Sequence, residues 1–467
     1  MPNLAREALL RAPPAPHRPR APGAASIISG EHIMTQVNTT AAAAPRTSNM
    51  FRVALASCIG TAIEYYDYLA FGIAAALIFN QLFFPAQDPL TGTLLAFAAF
   101  GTGFIVRPLG GIIIGHFGDR IGRKRMLVLT LVLMGGATFL IGCLPTYEQI
   151  GIWAPIALVL LRLIQGFSAG GEWAGAVLMA VEHAPPNRRG FYGSWAMLGI
   201  GLGSLLALLA FAALGGLDPQ AFRDWGWRVP FLISAILIPV GLYIRLRIAE
   251  SPSFDELRKR NAVLRVPILD AIRNYPKAIL LTAGTNLGYN TFIYLVFTFT
   301  LTYATQQLKL PRSLILNASM AGAVLQMLSV LLFAAISDKV GRKPVLMVGA
   351  VAIAAYAFIF FRILDIGTPT AVYVAICMAY VVSAIMFGPI GAFFCEHFGT
   401  QVRYSGASLG YQLGAVLGGG LAPTLAVALY SMSNNQTWSV SLYVAIVAAI
   451  SLVCLMLLRE TAHEEQK

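Results

Sequence analysis

Apolar residues run along this chain in long blocks, broken by short clusters of charged residues, Gly and Pro. Each block is about 20 residues long, the length an α-helix needs to cross the hydrocarbon core of a bilayer. Twelve can be marked, at 52–79, 92–114, 126–144, 153–180, 191–214, 229–247, 277–301, 314–336, 345–364, 370–395, 405–430 and 438–458. The pattern predicts an all-α membrane protein with twelve transmembrane helices. They group as a first six-helix half over 51–247, a charged, helix-prone connector at 248–276, a second half over 277–458 and a short tail at 459–467. Residues 1–50 break the pattern. They are rich in Ala, Pro and Arg, poor in acids and without an apolar run, a composition that predicts disorder. Met34 begins a more ordinary lead-in, so a start there is a second reading of what precedes it, and a transit peptide a third.

Composition supports the bilayer as solvent. The 467 residues are 57% hydrophobic and 12% charged, against roughly 25% charged in soluble domains. Cys58, Cys143, Cys377, Cys395 and Cys454 all lie in apolar runs with no C-x-x-C pair, and read as packed small residues. A net charge of +12 would suggest nucleic acid in a soluble protein. Here most basic residues collect in alternate loops, including Arg120, Arg123, Lys124, Arg125, Arg188, Arg189, Lys339, Arg342 and Lys343. Short loops rich in Lys and Arg stay in the cytoplasm, which predicts both termini there and makes the charge an orientation signal, not a nucleic-acid footprint.

The loops also repeat. After the second block stands Gly115-His-Phe-Gly-Asp119-Arg120-Ile-Gly122-Arg123-Lys124, and half a chain later Ala334-Ala-Ile-Ser-Asp338-Lys339-Val-Gly341-Arg342-Lys343. Glu182-His183 with Arg189 matches Glu396-His397 with Arg403, and Glu250-Ser-Pro matches Glu460-Thr-Ala. Three matched sites in the same order imply two related halves, an architecture suited to rocking about a midplane site. One departure is Ala334 in place of Gly115, expected to weaken the turn of the second copy.

With this doubled D-R-x-G-R-K loop the sequence resembles the major facilitator superfamily. Further segments resemble its metabolite:proton symporter family: Gly60-Thr-Ala-Ile-Glu64-Tyr-Tyr-Asp67, Arg107-Pro-Leu-Gly-Gly, Arg162-Leu-Ile-Gln165-Gly-Phe-Ser-Ala-Gly-Gly-Glu172, Trp225-Gly-Trp-Arg228-Val-Pro-Phe and Arg403-Tyr-Ser-Gly-Ala-Ser-Leu-Gly-Tyr-Gln412. Within that family the chain looks most like shikimate-transporter-like members; carriers of α-ketoglutarate, citrate and betaine or proline belong to it too. The resemblance covers about residues 50–460. It implies a secondary active transporter working by alternating access, usually as a monomer, on a small organic acid or zwitterion. It also implies a cytoplasmic gate made of Gly115, Asp119, Arg120, Gly122, Arg123, Glu182 and Arg189, with Asp338, Gly341, Arg342, Glu396 and Arg403 as the twin set. Positive-inside topology alone explains Lys124 but not the repeated acids.

Charges inside the blocks are the candidate chemistry, since intramembrane ionisable groups are costly and line pathways. Glu64 and Asp67, at i and i+3, share a helix face, and either is a candidate proton carrier. Arg162 and Gln165 share a face of the fourth span, with Arg162 a candidate for an anionic substrate. The competing reading is a static Asp67–Arg162 pair tying the first and fourth spans together. Arg107 fits gate or substrate roles equally, and Glu172 a substrate site or a helix contact. Asn286, Tyr289, Asn290 and Tyr294 would form one polar stripe in the seventh span, joined by Gln326 and Gln412; they suit either the hydroxyls of a ring metabolite or interhelical hydrogen bonds. Acids and arginines thus concentrate in the first half and the polar stripe in the second, a division between proton handling and hydroxyl recognition.

Other chemistries find little support. Gly166-Phe-Ser168-Ala-Gly170 spells a hydrolase elbow but lies inside an apolar helix without a preceding strand. The histidines, with His116, His183 and His397 expected in loops, assemble no metal site. No G-x-x-x-x-G-K-[ST] loop is present for ATP, so no cofactor is expected and an ion gradient is the energy source; a membrane potential supplies about 2.3 kcal/mol per charge per 100 mV. A uniporter or exchanger is the alternative to proton symport. A transporter-like receptor is the alternative outside transport, disfavoured by the short tail after Leu458, and a membrane enzyme is disfavoured by the missing catalytic set.

Overall fold

The computed structural model describes residues 47–85, 89–214 and 216–462. The predicted tail lies outside the described residues up to 46, while Thr47–Met50 already belong to the first helix. Among the described residues every regular element is helical. The spans are α1 (Thr47–Ala74), α2 (Pro89–Ile121), α3 (Arg123–Cys143), α4 (Trp153–His183), α5 (Arg189–Ala213), α6 (Ser234–Leu246), α7 (Pro276–Tyr294), α8 (Arg312–Val340), α9 (Arg342–Leu364), α10 (Pro369–Glu396), α11 (Arg403–Ala415) and α12 (Trp438–Leu457). Two short helices, Pro252–Lys259 and Pro267–Asn274, form the connector. Ten of the long helices are apolar and long enough to cross a membrane. The other two are α1 and α7, the spans carrying Glu64, Asp67 and the Asn/Tyr stripe.

The apolar pattern places most helix edges within a few residues, except where a helix outruns its apolar block or, as in α7 and α11, gives way to a π-helical turn before the block ends. The second block ends at 114, yet α2 continues to Ile121; α8 likewise runs to Val340. Both stop at a glycine with positive φ, Gly122 (118°) and Gly341 (112°), a backbone region that favours glycine. Position 334 therefore lies inside α8, so the Ala334 substitution touches no turn; the turn glycine of the second copy is Gly341. His116 also lies inside α2, His183 ends α4 and His397 caps α10, so none is a loop residue. Spans α1, α7 and α11 each run into a π-helical turn, at Ala75–Phe79, Leu295–Phe299 and Val416–Gly420. Such turns often mark functional sites.

Packing follows the repeat. In the first half α1 lies on α5, α2 on α4 and α3 on α6; in the second α7 lies on α11, α8 on α10 and α9 on α12. The halves meet through α5 against α8 and α10, and through α11 against α2 and α4. Glycines allow the closest approach, between α2 and α4. A Cβ on Gly110 would stand 1.9 Å from the Phe167 carbonyl oxygen, one on Gly166 2.1 Å from that of Gly103, and one on Gly170 2.0 Å from that of Arg107. Backbone cannot give as a flexible side chain does, so Gly166→Leu is expected to cost more than the usual 1–3 kcal/mol of overpacking, about. Extracted with mild detergent, that variant should lose its monodisperse size-exclusion peak. Gly136→Ala, where a Cβ meets nothing within 4 Å, should keep it. Ser168 of the apparent hydrolase motif sits in this helix and donates to the Ile164 carbonyl at 2.9 Å.

Candidate functional site

The repeated loops gather at one end of the bundle, here called the basic end. Glu250 caps the start of α3: its Oε1 accepts the backbone N–H of Arg123 and of Lys124, each at 3.1 Å. Glu460 caps α9 the same way, accepting from Arg342 at 3.0 Å and Lys343 at 2.9 Å. Burial would raise the Glu460 pKa, but these donors with the N–H groups of Thr461 and Ala462 outweigh it and hold the carboxyl below its ordinary range. Its contribution to stability is therefore present above that range and is lost as pH falls through the depressed value. The next residues reach inward: Ser251 Oγ donates to Glu182 Oε2, and Thr461 Oγ1 to Glu396 Oε2 at 2.5 Å.

Between the halves, each motif aspartate sits on the N-terminus of a helix of the opposite half. Asp119 accepts the N–H of Tyr404 at 3.2 Å and of Ser405 at 2.8 Å, at the start of α11. Asp338 accepts those of Gly190 and Phe191, both at 2.8 Å, at the start of α5. Carboxylates are favoured at helix N-termini by the exposed N–H groups and the helix dipole. Arg123 Nη2 lies 3.5 Å from Asp119 and 3.8 Å from Glu182, and donates to the Thr400 carbonyl at 3.0 Å. Arg342 lies 2.6 Å from Asp338 and 3.2 Å from Glu396. The expected twin sets are not separate: Arg403 pairs with Glu182 of the first half at 3.0 Å. The symmetric Arg189–Glu396 pair is not formed, and Arg189 Nε is buried without a partner. Arg120 is exposed. Gly115 faces α11, where a Cβ would come 3.0 Å from Ser405 Cα.

Deeper in the first half, Glu64 and Asp67 do share a face, but it turns toward α3 and α6. Asp67 is buried and accepts from Ser234 Oγ at 2.6 Å. It makes no ion pair with Arg162, so the static-pair reading is not what ties α1 to α4. Glu64 instead meets Arg245 of α6 at 3.1 Å, and Glu172 meets the same guanidinium at 3.0 Å. Arg245 is not among the residues the sequence singles out; its position near the end of an apolar block hides that it points inward.

The centre belongs to two arginines and a set of aromatic rings. Arg162 and Arg107 share Tyr68: their Cζ atoms lie 3.9 and 4.2 Å from its ring centroid. Arg162 also covers Phe71 and Phe100, each at 4.5 Å, and Arg107 covers Phe104 at 4.7 Å. Gln165 stands where the sequence placed it, accepting from Arg162 Nη1 at 3.1 Å and donating to Thr138 Oγ1 at 2.8 Å. Both arginines are buried, and among the described residues neither has a carboxylate within 4 Å. Arg107 Nε and Arg162 Nη2 have no hydrogen-bond partner. The Tyr65, Tyr294 and Tyr411 phenols lie within electrostatic reach of Arg107, and the Tyr294 ring packs 5.9 Å from Phe104 across the halves.

The second-half stripe is divided. Tyr294 faces the arginines, but Asn286 donates to the Tyr411 carbonyl of α11 at 3.0 Å, and Asn290 donates to the Asn286 carbonyl of its own helix at 2.9 Å. Tyr289 stacks on Phe387 of α10 at 4.4 Å. Gln326 donates to Ser383 Oγ at 2.8 Å, joining α8 to α10. Gln412 reaches the first half, donating to the Gly170 carbonyl at 2.9 Å.

Two pseudo-symmetric six-helix halves closed at one end over a buried polar centre define a multi-pass membrane transporter. The Major Facilitator Superfamily profile matches residues 57–411. The chain belongs to that superfamily; it is a transporter of metabolites in the inner membrane and not an enzyme. It is 42% identical over 415 residues to the shikimate transporter of Escherichia coli (strain K12), covering 88% of this chain and 94% of that one. It is 38% identical over 419 residues to an inner membrane metabolite transport protein of the same organism, covering 88% and 95%. Among solved structures it is similar to the proton:xylose symporter bound to 6-bromo-6-deoxy-D-glucose, with a TM-score of 0.71 at 16% identity over 89% of this chain and 97% of that one.

Proposed function

We propose that the chain is a proton-coupled symporter of a small organic acid, with Arg107 and Arg162 holding the substrate carboxylate. The observation that carries this reading is the pair of buried guanidiniums without carboxylate partners. A buried charge is normally paired or hydrogen-bonded, and a carboxylate delivered by the substrate completes both. The phenols around Arg107 are donors suited to substrate hydroxyls. The similarity to a shikimate transporter supports a hydroxylated ring acid. Asp67 and Glu64 are the candidate proton carriers, the proton gradient the energy source, and no cofactor takes part. The basic end faces the cytoplasm in this reading, and its charge network is the inner gate, closed in this structure.

Purified protein in proteoliposomes, given radiolabelled shikimate, α-ketoglutarate, citrate or betaine, is the test. Accumulation of one of the acids against its gradient, driven by an imposed inward proton gradient, is the expected result. Uptake that only equilibrates, whatever the pH difference, would leave a uniporter or exchanger in place of the symporter.

A further inference from the structure

The first half encloses a second charged site, separate from the two central arginines. Arg245 Nη2 lies 3.1 Å from Glu64 Oε1 and 3.0 Å from Glu172 Oε1, so the two carboxylate oxygens stand at most about 6 Å apart. All three side chains are buried. Thr61 Oγ1 donates to Glu172 Oε1 at 3.1 Å and Thr130 Oγ1 to Glu64 Oε1 at 3.3 Å. Glu64 Oε2 is buried with no partner. Arg245 also donates to the Leu127 carbonyl, which fixes its fork. Two carboxylates facing one guanidinium leave one negative charge uncompensated, and like charges sharing a dry site do not both ionise.

We propose that Glu64 and Glu172 form a carboxyl pair sharing one exchangeable proton, balanced by Arg245, and that this is the proton coupled to transport. The proposal rests on the symport reading above and assigns its proton to this pair, not to Asp67. Only an O–H bond changes: a carboxylate oxygen accepts the proton from water on one side and returns it to water on the other.

The second half covers the pair. Tyr404, at the start of α11, is fully buried and inserts between α2 and α4; Cβ atoms on Gly118 and Gly175 would lie 2.0 and 2.4 Å from it. Its phenol donates to the carbonyl of Gly171, next to Glu172, at 2.8 Å, while its backbone N–H is held by Asp119. Opening the basic end withdraws this ring and unroofs the pair, which ties release of the proton to the motion of the gate. Facing the pair are Arg245 from α6, the Tyr404 phenol from α11, Tyr65 on α1 and the Thr130 hydroxyl of α3; α5 meets α1 there through Gly199 beside Thr61. Tyr65 lies within electrostatic reach of both Glu172 and Arg107. A separate cavity of about 20 Å³, room for about one water, is lined by Ser57, Lys124, Leu127 and Arg245 but by neither carboxylate. The guanidinium stands between that cavity and the pair.

Two measurements on the full chain test the assignment. In pH-jump infrared difference spectra of the purified protein without substrate, the wild type should show a protonated-carboxyl C=O band. Glu64→Gln and Glu172→Gln should each remove it, Glu172→Asp should shift it, and Asp67→Asn should leave it. A band untouched by the glutamate variants, or lost in Asp67→Asn, overturns the proposal. In proteoliposomes with shikimate and an inward gradient of one pH unit, electroneutral one-proton symport accumulates substrate about tenfold. Both Gln variants should fall to simple equilibration while retaining shikimate exchange. Gln variants that accumulate normally overturn the assignment alone; a wild type indifferent to the gradient overturns symport itself.

Discussion

Arg162→Gln should abolish tight binding of the organic acid while leaving the purified protein at least as heat-stable as its parent. The two effects separate a binding arginine from a structural one. A bidentate guanidinium–carboxylate pair contains two charge-assisted hydrogen bonds, each worth about 1.5–3 kcal/mol. At about 1.4 kcal/mol per tenfold, their loss weakens binding by at least 100-fold, roughly. Without substrate, Arg162 is a buried cation whose partners are Gln165, the Phe100 and Tyr68 carbonyls and three aromatic faces. None carries a formal negative charge. Replacing an uncompensated buried charge with a neutral group of similar reach removes a desolvation cost instead of a bond. Arg162→Lys should not restore affinity, because an ammonium lacks the planar fork. Calorimetric titration gives the affinity and a thermal melt the stability. Unchanged affinity with a melting point lowered by several degrees would falsify the substrate role and make Arg162 a packing residue.

How far this centre could be read from the sequence depended on which helix face was in question. Runs of apolar residues locate the spans because the bilayer requires them, and α4, predicted at 153–180, is observed as Trp153–His183. The matched acids of the loops were legible because they recur in order, and the structure finds Glu250 and Glu460 doing the same capping work on α3 and α9. The pairing across halves was not. Glu182 and Arg403 sit far apart in sequence, and spacing within one half says nothing about which partner the other half supplies. Tyr68 was missed although it adjoins Asp67, because α1 is buried nearly all round and its periodicity does not separate the side facing Arg107 from the side facing Arg245. The polar stripe of α7 left two readings open, substrate hydroxyls or interhelical hydrogen bonds. Asn286 donates to the Tyr411 carbonyl of α11, Asn290 donates back to the Asn286 carbonyl of its own helix, and Tyr294 faces the arginines.

Asp119→Asn combined with Asp338→Asn should shift the protein from the closed basic end seen here toward an open one. Each aspartate accepts two backbone N–H groups at the start of a helix in the other half, so the two contacts cross the seam that must part. A carboxylate in a partly buried helix N-terminal position contributes up to about 2 kcal/mol. Asparagine keeps an acceptor but loses the charge, so the double change removes roughly 2–4 kcal/mol and moves the open:closed ratio by about 30- to 1,000-fold. Arg342 and Arg123 add to the effect, since each then faces the seam with one fewer anion. The shift should be visible as a longer spin-label distance across the basic end, measured by double electron–electron resonance between labels on α4 and α10. Glu182→Gln should act in the same direction but more weakly, because it removes the Arg403 ion pair and leaves both aspartate caps across the seam in place. The missing Arg189–Glu396 pair gives the expectation its asymmetry. With one of two symmetric bridges unmade, the seam depends more heavily on the aspartate caps than on ion pairs. Distances that stay closed in the double variant but open in Glu182→Gln would reverse that ranking and place the latch on the single Glu182–Arg403 bridge.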